Sequence, residues 1–411
     1  MSASARTSVL ISGASIAGPA LAHWLGRYGF DVTVVELAPA LRGGGQNVDF
    51  RGRTHLTVLE RMGVLEDLRA LDTGGSPITF VDQEGRRLLH LPADFAGGEL
   101  EIPRGELAQV LHRHSAPRAE YVFGDTVETL EETPSGVRVS FRHGAAREFD
   151  LVIGADGLHS TVRRLAFGPE QRYVRHLGYY AATWQLPDAE VGLTGEGGRP
   201  GEGGVALNVP GRLMSVGADP RDPGRAGAFC LFASPELRYD RHDIRRQKEL
   251  VRAAFAGLGW RVPQLLRSLA DAPELYFDSI SRADVPTWST GRIALLGDAA
   301  CGATIGGMGT GTAVVAAYVL AGELALARGD HRAAFARYEG LLRGYAQGCQ
   351  KGGDRTGPFL APRTRAGLRL RNGLLNRRWV LDRMLALGKR VSSVELPDYE
   401  ALLAARVSAA G

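Results

Sequence analysis

The chain has 411 residues, 44% of them hydrophobic and 23% charged, which is enough to bury a large core and more than one small unit needs. Its 49 basic and 45 acidic side chains leave a formal charge of +4 and are interleaved along the sequence, so no basic stripe suits it to nucleic acid. No stretch approaches the roughly 20 apolar residues of a membrane span, and the first apolar run, Val9 to Ile11, is too short for a signal-peptide core. Cys230, Cys301 and Cys349 stand too far apart for a zinc site or a disulfide framework, so no metal is expected and a cytoplasmic, reducing compartment is.

Residues 8–12 (SVLIS) have strand character, after which Ile16, Ala20, Leu21, Trp24 and Leu25 recur at helical spacing up to a capping Gly29. A second strand over 32–35 ends at Glu36, and this βαβ opening predicts a parallel sheet. A helix interrupted at Gly63 is expected over 53–71, a hairpin over 78–91 with its turn at 82–85, and a helix from Pro103 to about 114. Strands at 127–131 and 137–141 flank the Pro134-Ser135-Gly136 turn, and one further strand covers 148–153. From 178 to 275 the pattern changes to short strands such as 228–232, broken by a Gly/Pro-rich stretch at 195–211 and by one helix at 241–258. A buried strand at 292–296, an Ala-rich helix at 310–328 and a mostly helical remainder follow, with no internal repeat.

The loop Gly13-Ala14-Ser15-Ile16-Ala17-Gly18 lies between a strand and a helix, the setting of a dinucleotide fingerprint, although Ser15 replaces the middle glycine. Gly13 permits the tight turn, a small residue at 15 lets the backbone approach a pyrophosphate, and Gly18 lets helix and strand pack closely. The helix N-terminus then offers unpaired N–H groups to phosphate. Glu36 can accept from adenosine ribose hydroxyls and disfavours a 2′-phosphate, which points to FAD or NAD in this pocket. That loop alone leaves a flavoprotein and a nicotinamide dehydrogenase or NAD-binding regulatory module open.

Two further segments each follow a strand: Gly154-Ala155-Asp156-Gly157-Leu158-His159-Ser160-Thr161-Val162-Arg163, and Gly297-Asp298-Ala299-Ala300. With the first loop they resemble the three signatures of the class A FAD-dependent monooxygenases, the para-hydroxybenzoate hydroxylase-like aromatic hydroxylases. The resemblance spans the chain and takes in Glu36 with Arg42, Pro103-Arg104-Gly105-Glu106-Leu107, and Gly306-Gly307-Met308-Gly309-Thr310 at the start of a helix. It implies an α/β fold with a Rossmann-like FAD-binding domain (1–71, 101–177 and 282–345), a β-rich substrate domain (72–100 and 178–281) and a helical C-terminal region (346–411).

The resemblance also implies residue roles. Gly13, Ser15, Ile16, Ala17, Gly18 and Glu36 would hold the adenosine and pyrophosphate, and Val127 would meet adenine through its backbone. Arg42 would lie near the ribose and phosphates, and Asp156 and Gly157 near the pyrophosphate and incoming NAD(P)H. Asp298 would bond the ribityl chain and Arg104 would reach the flavin. The backbone of Gly307, Met308, Gly309 and Thr310 would face the pyrimidine edge. Gln46, Asp49 and Arg51 could come under the ring, and Trp184, Asn208, Met214, Phe229 and Phe232 could wall the substrate pocket.

The activity implied is an NAD(P)H-consuming hydroxylation or epoxidation of a small to medium organic substrate, aromatic or polyketide-like, through a C4a-hydroperoxyflavin, with secondary metabolism as the setting. The expected partners are that substrate and O2, with neither nucleic acid nor membrane, in a monomer or homodimer. Which residues perform catalysis is left open. After Asp298 the sequence departs from the family pattern: Cys301-Gly302-Ala303-Thr304-Ile305 is shorter and has no proline, where relatives carry an aromatic or histidine and then a Pro-containing stretch. This departure motivates an alternative, a flavin-containing cyclase or isomerase on the same scaffold.

Overall fold

A computed structural model describes residues 6–43, 46–93, 98–186, 203–218, 224, 226–304, 308–391 and 393–408. Its first sheet has six strands in the order Ser289–Thr290, Ile293–Leu295, Leu151–Gly154, Ser8–Ser12, Asp31–Glu36 and Glu120–Phe123. All neighbours are parallel except the outermost pair, Ser289–Thr290 with Ile293–Leu295. The inner parallel strands are buried on both faces, as their near-continuous Val/Ile/Leu runs require, and the edge strand Glu120–Phe123 is only partly buried. Helix Ala17–Arg27 packs on one side, and against it lies helix Gly309–Ala327, apolar all round and buried through Gly311 to Leu324. This helix alone, among the described residues, is long and apolar enough to cross a membrane, and it is the central helix of the protein core.

A second sheet has seven strands in the order Tyr276–Ala283, Val174–Gln185, Ala226–Ala233, Arg212–Ala218, Gly204–Val209, Ile78–Val81 and Arg87–Leu91. Its alternating side chains separate into two faces. One, with Tyr180, Trp184, Met214, Cys230 and Phe232, is covered by Val251, Phe255, Leu265 and Leu269 of helices Ile244–Phe255 and Val262–Asp271. The other carries Tyr179, Ala206, Leu213, Leu231 and Ile280, packed against Ala361 and Leu375 of the C-terminal helices.

Several expectations change. The single strand at 148–153 is two, Arg147–Phe149 in a three-stranded antiparallel sheet and Leu151–Gly154 in the parallel one. Between them the Asp150 carboxylate accepts from Ser8 N (2.7 Å) and Ser8 Oγ (2.9 Å), and this turns the chain from one sheet to the other. Residues 204–209 are a strand although they lie in the Gly/Pro-rich stretch, and Val262–Asp271 is a helix that periodicity did not separate from its surroundings. The expected helix at 241–258 is Ile244–Phe255, because Asp243 caps its N-terminus by accepting from Arg246 N at 2.9 Å. Helix His331–Leu360 runs unbroken through the expected boundary at 345/346, and strand Val174–Gln185 through that at 177/178.

Candidate cofactor site

The C-terminal ends of three adjacent parallel strands, Ser8–Ser12, Leu151–Gly154 and Ile293–Leu295, carry the three glycine-containing loops. Gly13 has φ +108° and its N–H donates to Val35 O at 2.8 Å. A Cβ there would stand 2.5 Å from Ala155 O and 3.0 Å from Asp156 Cα, so the first loop touches the second. A Cβ on Gly18 would fall on the Gly13 carbonyl oxygen, which is why helix Ala17–Arg27 can start directly above the strand. No side chain caps this helix and its first turn holds no acid, so its N–H groups stay open to an anion. Glu36 accepts from Ala14 N (2.8 Å) and Ala38 N (2.9 Å), one bond per carboxylate oxygen, and each oxygen keeps a lone pair for a ribose hydroxyl. Gly124 N and Asp125 N donate to Ala38 O and Glu36 O, which brings the segment leading into Val127 alongside this end of the site. Arg42 is exposed.

In the second loop the Asp156 carboxylate accepts from Ser160 Oγ, Val162 N (3.0 Å) and Ser12 Oγ (3.4 Å). Its role visible here is to clamp the turn, with Gly157 at φ +81°, onto helix Thr161–Ala166. Arg163 is fully buried and donates to Ala299 O (2.9 Å) and Leu158 O, binding the second loop to the third. Sequence reasoning passed over this arginine because an isolated Arg reads as surface; its place inside the Asp156–Arg163 motif was the available signal.

His159 ties the same loop to the second sheet. Its Nδ1 lies 3.0 Å from Glu170 and its Nε2 3.5 Å from Asp278 on strand Tyr276–Ala283, while Arg241 pairs with Glu170 at 3.0 Å. Burial alone would lower the His159 pKa, but Asp278 and Glu170 outweigh it and hold the imidazole above its ordinary value. For Glu170 burial acts upward, and His159 with Arg241 brings the carboxyl down to about 2. The stabilisation from charged His159 is therefore complete below the unfolded pKa of about 6.5 and is lost as pH rises through the elevated folded value. That from Glu170 is present above about 4.5 and is lost as pH falls toward 2. We expect the stability difference between wild type and His159→Gln, measured by urea denaturation, to shrink as pH rises above neutrality. A difference that does not vary with pH would remove His159 from the network.

The third loop turns at Gly297 (φ +62°), where a Cβ would meet Ala313 at 3.2 Å and Ala17 at 3.3 Å, so the starts of both core helices converge here. Asp298 lies beyond it. Among the described residues no group donates to the Asp298 carboxylate, and burial pushes its pKa above the usual range, with Arg104 opposing. Its Oδ1 would stand 3.0 Å from a Cβ on Gly309, and Met308, left-handed at φ +51°, caps helix Gly309–Ala327. Thr310 lies in the first turn of that helix. Gly307 falls outside the described residues.

Arg104 joins these parts. Its Nη2 donates to Ser15 Oγ at 3.2 Å and its charge acts on both Asp298 and Tyr276. Strands Asn47–Phe50 and Leu100–Pro103 pair antiparallel and bring Gln46 beside it, with Arg104 N donating to Gln46 O at 3.3 Å. Gln46 Nε2 is buried and has no hydrogen-bond partner among the described residues. Asp49 and Arg51 form an ion pair with each other, on the opposite side of the strand by its alternation. Arg51 N also donates to His55 Nδ1 (3.1 Å), which leaves the proton on Nε2 to be donated to Tyr345 Oη at 2.6 Å. His55 is buried, with its pKa lowered to about 4, and it packs beneath Gly311 in the first turn of the core helix.

The second sheet corrects most of the pocket wall read from sequence. Trp184, Met214 and Phe232 lie on the helix-covered face as core, and Trp184 Nε1 donates to Ser268 Oγ at 3.1 Å. Asn208 is on the other face, but it is buried and bonded to Arg371 and to Leu360 O (3.1 Å), a clamp for the C-terminal helices. Phe229 is half-buried on that other face, in register with Thr183 and Ser215, and Thr183 is in register with Tyr276 at the Arg104 end. Thr183, Ser215 and Tyr276 share that face with Phe229 and were not singled out from sequence, since alternation shows two faces without showing what each one meets.

The chemistry of this donor and acceptor set fits FAD. An open helix N-terminus suits a pyrophosphate, Glu36 suits a ribose, and the undonated Asp298 carboxylate suits ribityl hydroxyls. Comparison with known proteins agrees. Residues 6–184 match the family model described as FAD binding domain. A flavin-dependent monooxygenase of Legionella longbeachae is 33% identical over 399 residues, 95% of this chain and 98% of its own. An uncharacterized protein of Mycobacterium tuberculosis is 40% identical over 350 residues, 83% of this chain and 91% of its own. Among solved structures, the tetracycline destructase Tet(55) is 34% identical with a TM-score of 0.81, covering 96% of this chain and 99% of its own.

Proposed function

Since the chain belongs to the class A FAD-dependent monooxygenases, we propose that it consumes NAD(P)H and O2 to hydroxylate or epoxidise a small to medium organic substrate, aromatic or polyketide-like. The observation that carries this reading is the juxtaposition of the three glycine-containing loops at the C-terminal ends of adjacent parallel strands, with Arg104 bonded to Ser15 of the first loop. When bound, FAD supplies the electron transfer and the activation of oxygen at its C4a position, and the protein's part is position, charge and exclusion of water.

In this reading the N–H groups after Gly13 hold the pyrophosphate, Glu36 the ribose and Asp298 the ribityl chain, with Arg42, Val127 and Gly157 along the same path. Arg104 and the backbone N–H groups of Met308, Gly309 and Thr310 offset negative charge at the pyrimidine edge during reduction. The substrate lies against Phe229, Thr183, Ser215 and Tyr276, with Gln46 offering a hydrogen-bond donor from the FAD side. The likeness to a tetracycline destructase supports a fused-ring, polyketide-like substrate. A cytoplasmic setting in secondary metabolism, as a monomer or homodimer, completes the proposal.

An assay of NAD(P)H oxidation against a panel of aromatic and polyketide substrates, with mass analysis of the products, tests it. The expected result is substrate-stimulated oxidation and a product heavier by one oxygen atom. Product formed without oxygen or pyridine nucleotide would instead assign the cyclase or isomerase reading motivated by the Cys301-Ile305 loop. In the structure, Thr304 Oγ1 pins that loop to Ser279 O (3.0 Å) and Ser281 O (3.1 Å) of strand Tyr276–Ala283.

A further inference from the structure

Helices Arg365–Leu375 and Arg378–Val391, near the C-terminus, leave an unusual surface. The first buries Leu368, Arg371 and Leu375 against the seven-stranded sheet and turns its remaining positions outward. Leu370 is 66% exposed and Leu374 41%, one helical turn apart; Trp379 (63%) and Met384 (37%) follow on the second helix. Arg365, Arg369, Arg377, Arg378 and Arg383 are exposed among them, with Asp382 the one exposed acid on the described faces of these two helices. None of these five arginines is ion-paired among the described residues.

We propose that this surface docks the enzyme peripherally on an anionic lipid bilayer. Exposed Trp, Leu and Met beside unpaired Arg is the composition that seats a helix at the headgroup boundary, with apolar side chains among the acyl ends and guanidinium groups on lipid phosphates. Docking of this kind needs no membrane span. A second copy of the chain fits poorly, because a two-fold contact would set this arginine array against itself.

The test is co-sedimentation of the FAD-loaded full chain with vesicles of phosphatidylcholine alone or with added phosphatidylserine. Trp379 provides a spectroscopic readout, since Trp24, Trp184 and Trp288 are buried and Trp260 is half-buried. We expect binding to the anionic vesicles, with a blue shift of tryptophan emission that Trp379→Ser abolishes, and loss of binding at about 1 M salt. Replacing Arg369, Arg377 and Arg378 together by Glu is expected to weaken binding at least roughly tenfold with flavin content unchanged. Equal binding to neutral vesicles, or no binding at low ionic strength, would overturn the proposal. So would a stable dimer that Trp379→Ser or Leu370→Ser dissociates, since a second copy would then be the occupant.

Discussion

Asp298→Ala is expected to emerge from purification largely free of flavin, with FAD affinity reduced about 10- to 100-fold. Hydrogen bonds to a charged acceptor contribute about 1.5–3 kcal/mol, and each 1.4 kcal/mol is a factor of about ten in affinity. Asp298 is a half-buried carboxylate to which no described group donates, so its oxygens can accept from the hydroxyls of a ligand. Asp298→Asn keeps one acceptor oxygen and loses the charge, and should fall between the two. Fluorescence titration of the flavin-stripped proteins with FAD measures all three, and equal affinities would remove Asp298 from the site. Folding should be little affected, because the carboxylate makes no described bond that the substitution breaks.

Gly18→Ala should have the larger structural effect. The added methyl would fall on the Gly13 carbonyl oxygen, a backbone atom fixed by the bond from Gly13 N to Val35 O (2.8 Å), so the helix must rise off the strand. Overpacking of this kind costs about 1–3 kcal/mol, and here it also displaces the N–H groups that would hold the pyrophosphate. We expect a lower urea midpoint together with loss of retained FAD. Gly340→Ala is the control, since its Cβ would enter open space on helix His331–Leu360 and should leave stability unchanged or raise it by up to about 1 kcal/mol. Similar behaviour of the two variants would show that the strand-to-helix approach at Gly18 does not matter.

The cofactor half of the molecule was legible because its signals are local. A buried strand, a turn that only small residues permit and a helix of clear period stand within twenty consecutive residues, Ser8 to Arg27. The second and third loops repeat the strand-then-glycine arrangement at Gly154 and Gly297. What was not legible depends on distant pairing. Strand Asn47–Phe50 finds its partner at Leu100–Pro103, and Glu120–Phe123 completes a sheet begun at Ser8; neither is marked by a turn next to it. In the second sheet, Trp184 and Phe229 look alike as aromatic strand residues. Register sends Trp184 to the face under helices Ile244–Phe255 and Val262–Asp271 and Phe229 to the face that packs against the C-terminal helices, and a shift of one position would exchange them. Arg163, His55 and Arg371 were passed over for a related reason: each is a polar side chain held inside by bonds to groups far along the chain.

The central claim is that three loops, around Gly13, Asp156 and Asp298, bind a single FAD. It is tested most directly by stripping the purified chain of flavin, reconstituting it with FAD and measuring the bound flavin by absorbance after gel filtration. One FAD retained per chain, with NAD(P)H then bleaching the flavin spectrum in oxygen-free buffer, is the predicted result. A folded protein that stays colourless after incubation with excess FAD would contradict it.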